Sequence, residues 1–215
     1  MSKKITIIDY GMGNLLSVQR GIESCGASAK ITSDPDELVK ADKLVLPGVG
    51  AFGDAIGEIK SLNLDLALLD AVKKGTPIIG ICLGMQLMFE QSEEFGLHDG
   101  LGVFKGRIVP IPRQGTSGLP MKSPHIGWSS LILNPEANVG CQKSLLGELS
   151  GHKSVYFVHS FMAVPTEPHT RLADCEYGGQ RITALVGNDN VFGCQFHPEK
   201  SGPVGLMILS SFSKL

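Results

Sequence analysis

The sequence has no run of basic residues, no C-x-x-C pair, no internal repeat and no apolar stretch long enough to span a bilayer. Each absence excludes a class of function. Lysine and arginine are scattered, and a formal net charge of -2 over 215 residues leaves no electrostatic footprint for nucleic acid. The apolar run at residues 5–8 is too short for a signal-peptide core or a membrane span, so it reads as a first strand and no membrane partner is expected. The five cysteines (Cys25, Cys82, Cys141, Cys175 and Cys194) are an odd set without a secretion signal, which points to reduced thiols in the cytoplasm. No His, Cys, Asp or Glu cluster has metal-ligand spacing, and neither a metal nor another cofactor is expected. The turn Asp9-Tyr10-Gly11-Met12-Gly13-Asn14 lacks the third glycine of a dinucleotide-binding loop. No acidic residue follows the second strand in the required way, so a nucleotide cofactor is set aside.

What is present is an alternation. Short apolar runs at residues 5–8, 29–32, 43–46 and 76–79 read as strands, with helical segments between them. The first helix takes Asn14 as its N-cap, carries the stripe Leu15, Leu16, Val18 and Ile22, and ends at Gly26. Further helices are expected at 52–60 and 64–74. This order predicts a doubly wound parallel sheet flanked by helices. The second half changes texture. Short strands fill 100–112, an exposed loop covers 113–123, a strand runs from 125 to 133, and a loop with a short helix occupies 134–149. Strands follow at 155–158, 172–177 and 181–186, the last two joined by the hairpin turn Gly178-Gly179. A turn at 188–190 leads to a strand over 191–196, and Pro203 opens a final helix through Phe212. Residues 1–215 thus read as a single α/β domain with a mixed, mostly parallel sheet and an antiparallel, strand-rich C-terminal half.

The stretch Gly80-Ile81-Cys82-Leu83-Gly84-Met85-Gln86 stands at a strand-to-helix junction. Residues 85–90 read as the start of a helix. A cysteine between two glycines there fits a nucleophile elbow, G-x-C-x-G in place of G-x-S-x-G. The glycines allow the tight turn and leave room for a substrate, the helix start favours a thiolate, and the Leu83 amide faces a developing oxyanion. A buried, inert cysteine under a sheet is the other reading. Pro47-Gly48-Val49-Gly50 after the 43–46 strand suits a peptide that reorients toward an oxyanion, or a plain loop.

The strand at 191–196 delivers His197-Pro198-Glu199. Open α/β sheets gather their sites along the C-terminal strand edge, so Cys82 and His197 can meet there. Pro198 is expected to keep the chain extended, which puts His197 and Glu199 on one side, base and orienter for the thiol. A solvated polar loop is the competing interpretation of His-x-Glu alone. The two motifs together argue for catalysis.

The elbow and Gln195-Phe196-His197-Pro198-Glu199-Lys200-Ser201 resemble the class I, or triad, glutamine amidotransferases. Asp9-Tyr10-Gly11-x-Gly13-Asn14, residues 47–52, His125-x-Gly127-Trp128 and residues 156–160 extend the resemblance to the HisH-type glutaminase subunits of imidazole glycerol phosphate synthase. The resemblance implies a flavodoxin-like fold and a reaction on L-glutamine. Cys82 would attack the side-chain amide, His197 would move the proton and Glu199 would orient it. Val49, Gly50 and Leu83 would form the oxyanion hole. Gln86, Glu94, His159, Ser160 and Phe161 match positions that hold glutamine. Ammonia would pass to a HisF-type (β/α)8-barrel cyclase, and Asn14, Trp128, Tyr156 and Lys200 match positions near that heterodimer interface. Trp128 and Tyr156 suit an ordinary core equally well.

There are departures from the family pattern. Ser129 stands where Asn is usual after Gly-Trp, Ser160 and Phe161 stand where Thr or Ser and usually Tyr occur, and residues 104–121 differ from the histidine-pathway proteins. They leave open a paralogue that supplies ammonia for amidating a surface-polysaccharide sugar. A pyridoxal-phosphate synthase glutaminase typically has Ala where Leu83 stands, a cysteine hydrolase of the DJ-1 type lacks the late His-Pro-Glu, and a non-catalytic relative would have lost part of the triad.

Overall fold

A computed structural model describes residues 4–147 and 153–215. The first part of the chain comprises β1 (Lys4–Ile8), α1 (Leu15–Ser24), β2 (Ser28–Thr32), α2 (Pro35–Val39), β3 (Lys43–Leu46), α3 (Phe52–Ser61), α4 (Leu64–Lys73), β4 (Ile78–Ile81) and α5 (Leu83–Leu87). Then come β5 (Phe89–Ser92), β6 (His98–Asp99), β7 (Phe104–Pro110), β8 (His125–Ser130), β9 (Ile132–Leu133) and α6 (Val139–Leu146). The chain closes with β10 (Ser154–His159), β11 (Phe161–Pro165), β12 (Arg171–Tyr177), β13 (Gln180–Asn188), β14 (Val191–Cys194) and α7 (Gly202–Ser213).

The main sheet has the order β2-β1-β3-β4-β14-β13-β12-β9. Strands β2, β1, β3, β4 and β14 pair in parallel, and β13, β12 and β9 continue antiparallel. The inner parallel strands β1, β3, β4 and β14 are buried on both faces because helices cover both, whereas the edge strand β2 is partly exposed. Val45 packs with Ile5, Ile7, Val18, Ile22 and Phe212 on the face carrying α1, α6 and α7. Its neighbours Leu44 and Leu46 point the other way, into the layer of Leu38, Phe52, Ile59 and Leu68. Burying each such side chain contributes about 1.5–3 kcal/mol. The hairpin at Gly178 and Gly179 has φ of +59° and +78°, the positive pair that a tight two-residue turn needs.

Several expectations are corrected. The helix behind the elbow stops at Leu87, and Phe89 and Glu90 belong to β5. The amides of Val103 and Phe104 both donate to Met88 O, and the Phe89 and Phe104 rings pack 5.6 Å apart, so pairing with β7 overrides helical continuation. This opens a second sheet, β11-β7-β5-β6. The single strand expected over 125–133 is two: β8 pairs with β10 in a separate ribbon, whereas β9 joins β12. Asn14 makes no side-chain cap; only its carbonyl accepts, from Val18 N at 3.2 Å. Within the loop and helix expected over 134–149, α6 is capped by Asn138, while residues 148 and 149 lie outside the described residues. No helix among the described residues is long and apolar enough to cross a membrane.

Candidate active site

Cys82 sits between the end of β4 and α5 with φ +53° and ψ −110°. That backbone conformation costs a non-glycine residue about 1–3 kcal/mol and persists only where its surroundings enforce it. Here Cys82 N donates to Cys194 O at 2.7 Å, and Cys82 O accepts from Met85 N and Gln86 N at 3.1 and 3.2 Å. The flanking glycines are required by close approach. A Cβ on Gly84 would lie 1.8 Å from Leu46 O, and one on Gly80 would lie 2.7 Å from the Gly84 carbonyl. The elbow is therefore pressed against the end of β3, beside residues 47–50. Tyr10 braces that loop by donating to Pro47 O at 2.8 Å, and burial together with the nearby Cys82 sulfur pushes its phenol pKa up.

His197 follows β14, the strand beside β4 in the sheet. Its Nδ1 is 2.9 Å from Glu199 Oε1, and both side chains are almost wholly buried. Pro198 does not keep the chain extended beyond His197. His197 itself is extended, as a residue before proline must be, but Pro198–Lys200 form a single 3-10 turn. The turn swings the Glu199 carboxylate back to the ring. Nε2 is buried without a conventional hydrogen-bond partner. Burial alone would depress this imidazole; the Cys82 sulfur and the Glu199 carboxylate outweigh it and raise its pKa to about 9. The ring thus keeps a proton at neutral pH. Burial pushes the Cys175 thiol up to about 12 and Cys194 well above its usual value, which leaves those thiols inert.

Cys82 and His197 open on a cleft of about 350 Å³. It is lined by Val49, Gly50, Leu83, Gln86, Glu94, His159, Ser160 and Phe161, each expected from the sequence, and by Pro124 and Val158, which were not. Gly50 adopts φ +102°, so the peptide after Val49 takes a course that glycine favours. Glu94 Oε2 accepts from Phe52 N at 2.7 Å, tying the cleft wall to the start of α3, where Ala51 offers no cap. Gln86 Nε2 donates to Phe161 O at 3.2 Å.

His159 belongs to a relay of neutral rings. Its Nδ1 is 2.7 Å from Phe161 O, an acceptor only, so Nδ1 carries the proton and Nε2 accepts. His125 Nδ1 therefore donates to His159 Nε2 at 3.1 Å, and the Ser129 hydroxyl donates to His125 Nε2 at 3.1 Å. Burial lowers both imidazoles, that of His159 to about 4, so neither is charged at neutral pH. His125 is clamped between Phe157 and Tyr177, with ring centroids at 4.9 and 4.1 Å. His125 begins the His125-x-Gly127-Trp128 motif, which by itself assigns it no role; the structure makes it the brace behind His159.

The four expected interface residues lie outside the cleft. Asn14 and Lys200 are exposed, and Trp128 is 58% exposed with its ring 6.0 Å from that of half-buried Tyr156. Trp128 is thus not a core residue. Asn14 also borders a narrow void shared with Val49, His197 and Glu199, which places Asn14 directly behind the His197–Glu199 pair. Among the described residues no His, Cys, Asp and Glu cluster is arranged to hold a metal.

The model of the class-I glutamine amidotransferase family matches residues 6–213. A curated relative, imidazole glycerol phosphate synthase subunit HisH 1 of Legionella pneumophila (strain Lens), is 47% identical over 211 residues, covering 98% of this chain and 99% of that one. Subunit HisH of Bacillus subtilis (strain 168) is 44% identical over 211 residues, covering 98% and 96%. Among solved structures, PurLQS from Thermotoga maritima superposes with a TM-score of 0.73 at 22% identity, over 99% of this chain and 98% of that one. The glutaminase domain of Trypanosoma brucei CTPS, with acivicin bound, gives 0.65 at 17% identity, over 99% and 94%. These two likenesses are of fold alone. The full-length relatives add what a shared fold does not, and the chain belongs to the class-I glutamine amidotransferase family, among its HisH-type subunits.

Proposed function

We propose that the chain is the glutaminase subunit of an imidazole glycerol phosphate synthase and works as one domain, in the cytoplasm, with Cys82, His197 and Glu199 as its triad. The Cys82 sulfur attacks the side-chain carbonyl carbon of L-glutamine. The resulting oxyanion meets the Leu83 amide and the peptide at Val49 and Gly50. The carbon–nitrogen bond then breaks, the proton on His197 leaves with the nitrogen as ammonia, and a thioester remains on Cys82. His197 next takes a proton from water, whose oxygen attacks the thioester. Glutamate leaves, and Cys82 is restored. Glu199 holds the imidazole throughout. Gln86, Glu94, His159 and the backbone at Ser160 and Phe161 hold the substrate.

The observation that carries this reading is the strained elbow at Cys82 facing a cleft shared with His197, whose other nitrogen is bound to Glu199. The HisH names of relatives aligned over nearly the whole chain point the ammonia toward a HisF-type (β/α)8-barrel cyclase. Asn14, Trp128, Tyr156 and Lys200 form its docking surface, supported by the exposure of Trp128 and by the adjacency of Asn14 to the triad.

Glutamate release from glutamine, measured alone and with a HisF-type cyclase from the same cell plus its nucleotide substrate, tests the proposal. Strong stimulation is expected. Glutaminase activity indifferent to the cyclase would assign the ammonia to another acceptor, such as a sugar-amidating partner.

A further inference from the structure

Gln195 is wholly buried, one residue beyond the end of β14, in a run of apolar side chains. An amide in such a place costs free energy unless its donors and acceptor are used, and a leucine would fill the same volume without that cost. Both ends of this amide are used. Its Nε2 lies 3.7 Å from Cys82 Sγ, and its Oε1 accepts from Gln86 Nε2 at 2.9 Å.

The orientation is forced by chemistry. Gln86 presents the same atom to Phe161 O and to Gln195, and a backbone carbonyl only accepts, so that atom is the nitrogen. The Gln195 atom facing it must then be the oxygen, which turns the Gln195 NH2 group to the sulfur. Gln195 and His197 flank Phe196 beyond the end of β14, and each acts on the Cys82 sulfur from its own position.

Resting on the glutaminase reading above, we propose that Gln195 is a positioning residue for the nucleophile. Its NH2 donates to the Cys82 sulfur, holds it toward the cleft, and is itself held by Gln86. Because this donor is neutral, it stays in place when His197 has given its proton to the departing ammonia, and again when the thioester breaks and the thiolate re-forms.

Two variants separate the contacts. Gln195→Glu keeps an oxygen for Gln86 and replaces the donor to sulfur; Gln195→Met, of similar length, removes both. The readouts are the pH profile of Cys82 alkylation by iodoacetamide, followed by peptide mass, and kcat and KM for glutamine in the complex with the cyclase. In variants whose melting shows them folded, the alkylation midpoint is expected to rise by about one to two pH units and kcat to fall about tenfold to a hundredfold, the range for a lost hydrogen bond to a charged atom. In Gln195→Glu, KM stays within about threefold, since the substrate contacts of Gln86 are kept.

Folded variants with an unchanged alkylation profile and unchanged kcat would make Gln195 a packing residue and overturn the proposal. Should neither variant fold, the unaltered protein decides. A side-chain NH2 signal of 15N-labelled glutamine must move with the Cys82 alkylation midpoint and lose that movement in Cys82→Ala, and its failure to move overturns the proposal. Glutamine hydrolysis surviving in Cys82→Ala would instead overturn the glutaminase mechanism itself.

Discussion

One methyl group at Gly84 provides a demanding test of how the nucleophile is held. In Gly84→Ala the new Cβ would lie 1.8 Å from Leu46 O and 2.8 Å from Leu46 C, both backbone atoms of a fully buried strand. Relief requires the elbow and β3 to separate by more than 1 Å. Overpacking of this kind costs about 1–3 kcal/mol, and a comparable misplacement of reacting groups costs about a hundredfold in rate. The control is the same substitution in α3. A Cβ on Gly57, an exposed helical residue, meets nothing within 4 Å. Gly57→Ala should therefore stabilise by about 0.5–1 kcal/mol through the unfolded chain, raising the melting temperature by about 1–4 °C with kcat unchanged. Thermal melting and glutamate release on both variants give the comparison. A Gly84→Ala protein with ordinary melting and ordinary turnover would refute the claim that close packing against β3 sets the position of Cys82.

Further predictions concern charge and the partner. In folding, His197 is raised from 6.5 to about 9 against its burial by Cys82 and Glu199, so its stabilisation is complete below about pH 6.5 and lost as pH rises through 9. His159 is lowered to about 4 by burial, so its share is complete above about 6.5 and lost as pH falls through 4. Melting temperature should thus peak near pH 6.5, and His197→Gln should flatten the alkaline limb between 6.5 and 9; an unaltered limb contradicts the assignment. Glu199→Gln removes one of the groups that hold the proton on His197, so the alkaline limit of the kcat profile should move to lower pH. Lys200→Glu should weaken association with the cyclase, read by titration calorimetry, with melting of the free chain unchanged, because Lys200 is exposed and makes no ion pair found among the described residues. Unchanged association would remove Lys200 from the docking surface.

The parallel strands were legible because a strand covered on both faces has to be a short continuous apolar run, as Val45 between Leu44 and Leu46 illustrates. The elbow was legible for a related reason, since only glycine tolerates the contacts at positions 80 and 84. Less visible were features decided by distant partners. Phe89 ends a helix because Phe104 and the amides of residues 103 and 104 arrive from elsewhere in the chain. The break between β8 and β9 reflects a choice of partner strand that no local pattern announces. Pro198 carried a real constraint on His197, but the 3-10 turn after it depends on packing beneath α7, where a Cβ on Gly205 would lie 2.0 Å from Pro198 O. The clearest missed signal was Gln195. It is a lone amide inside the apolar run at 191–196, and an amide buried with that run requires bonded partners.

The most direct test of the central claim is to trap the nucleophile. The protein, in complex with the cyclase, is incubated with a glutamine-mimicking electrophile, and the adduct is located by peptide mass alongside residual turnover. The account predicts a single adduct on Cys82, loss of glutamate release in step with labelling, and protection by glutamine. Complete loss of activity with Cys82 unmodified, or full labelling of Cys82 with turnover intact, would contradict it.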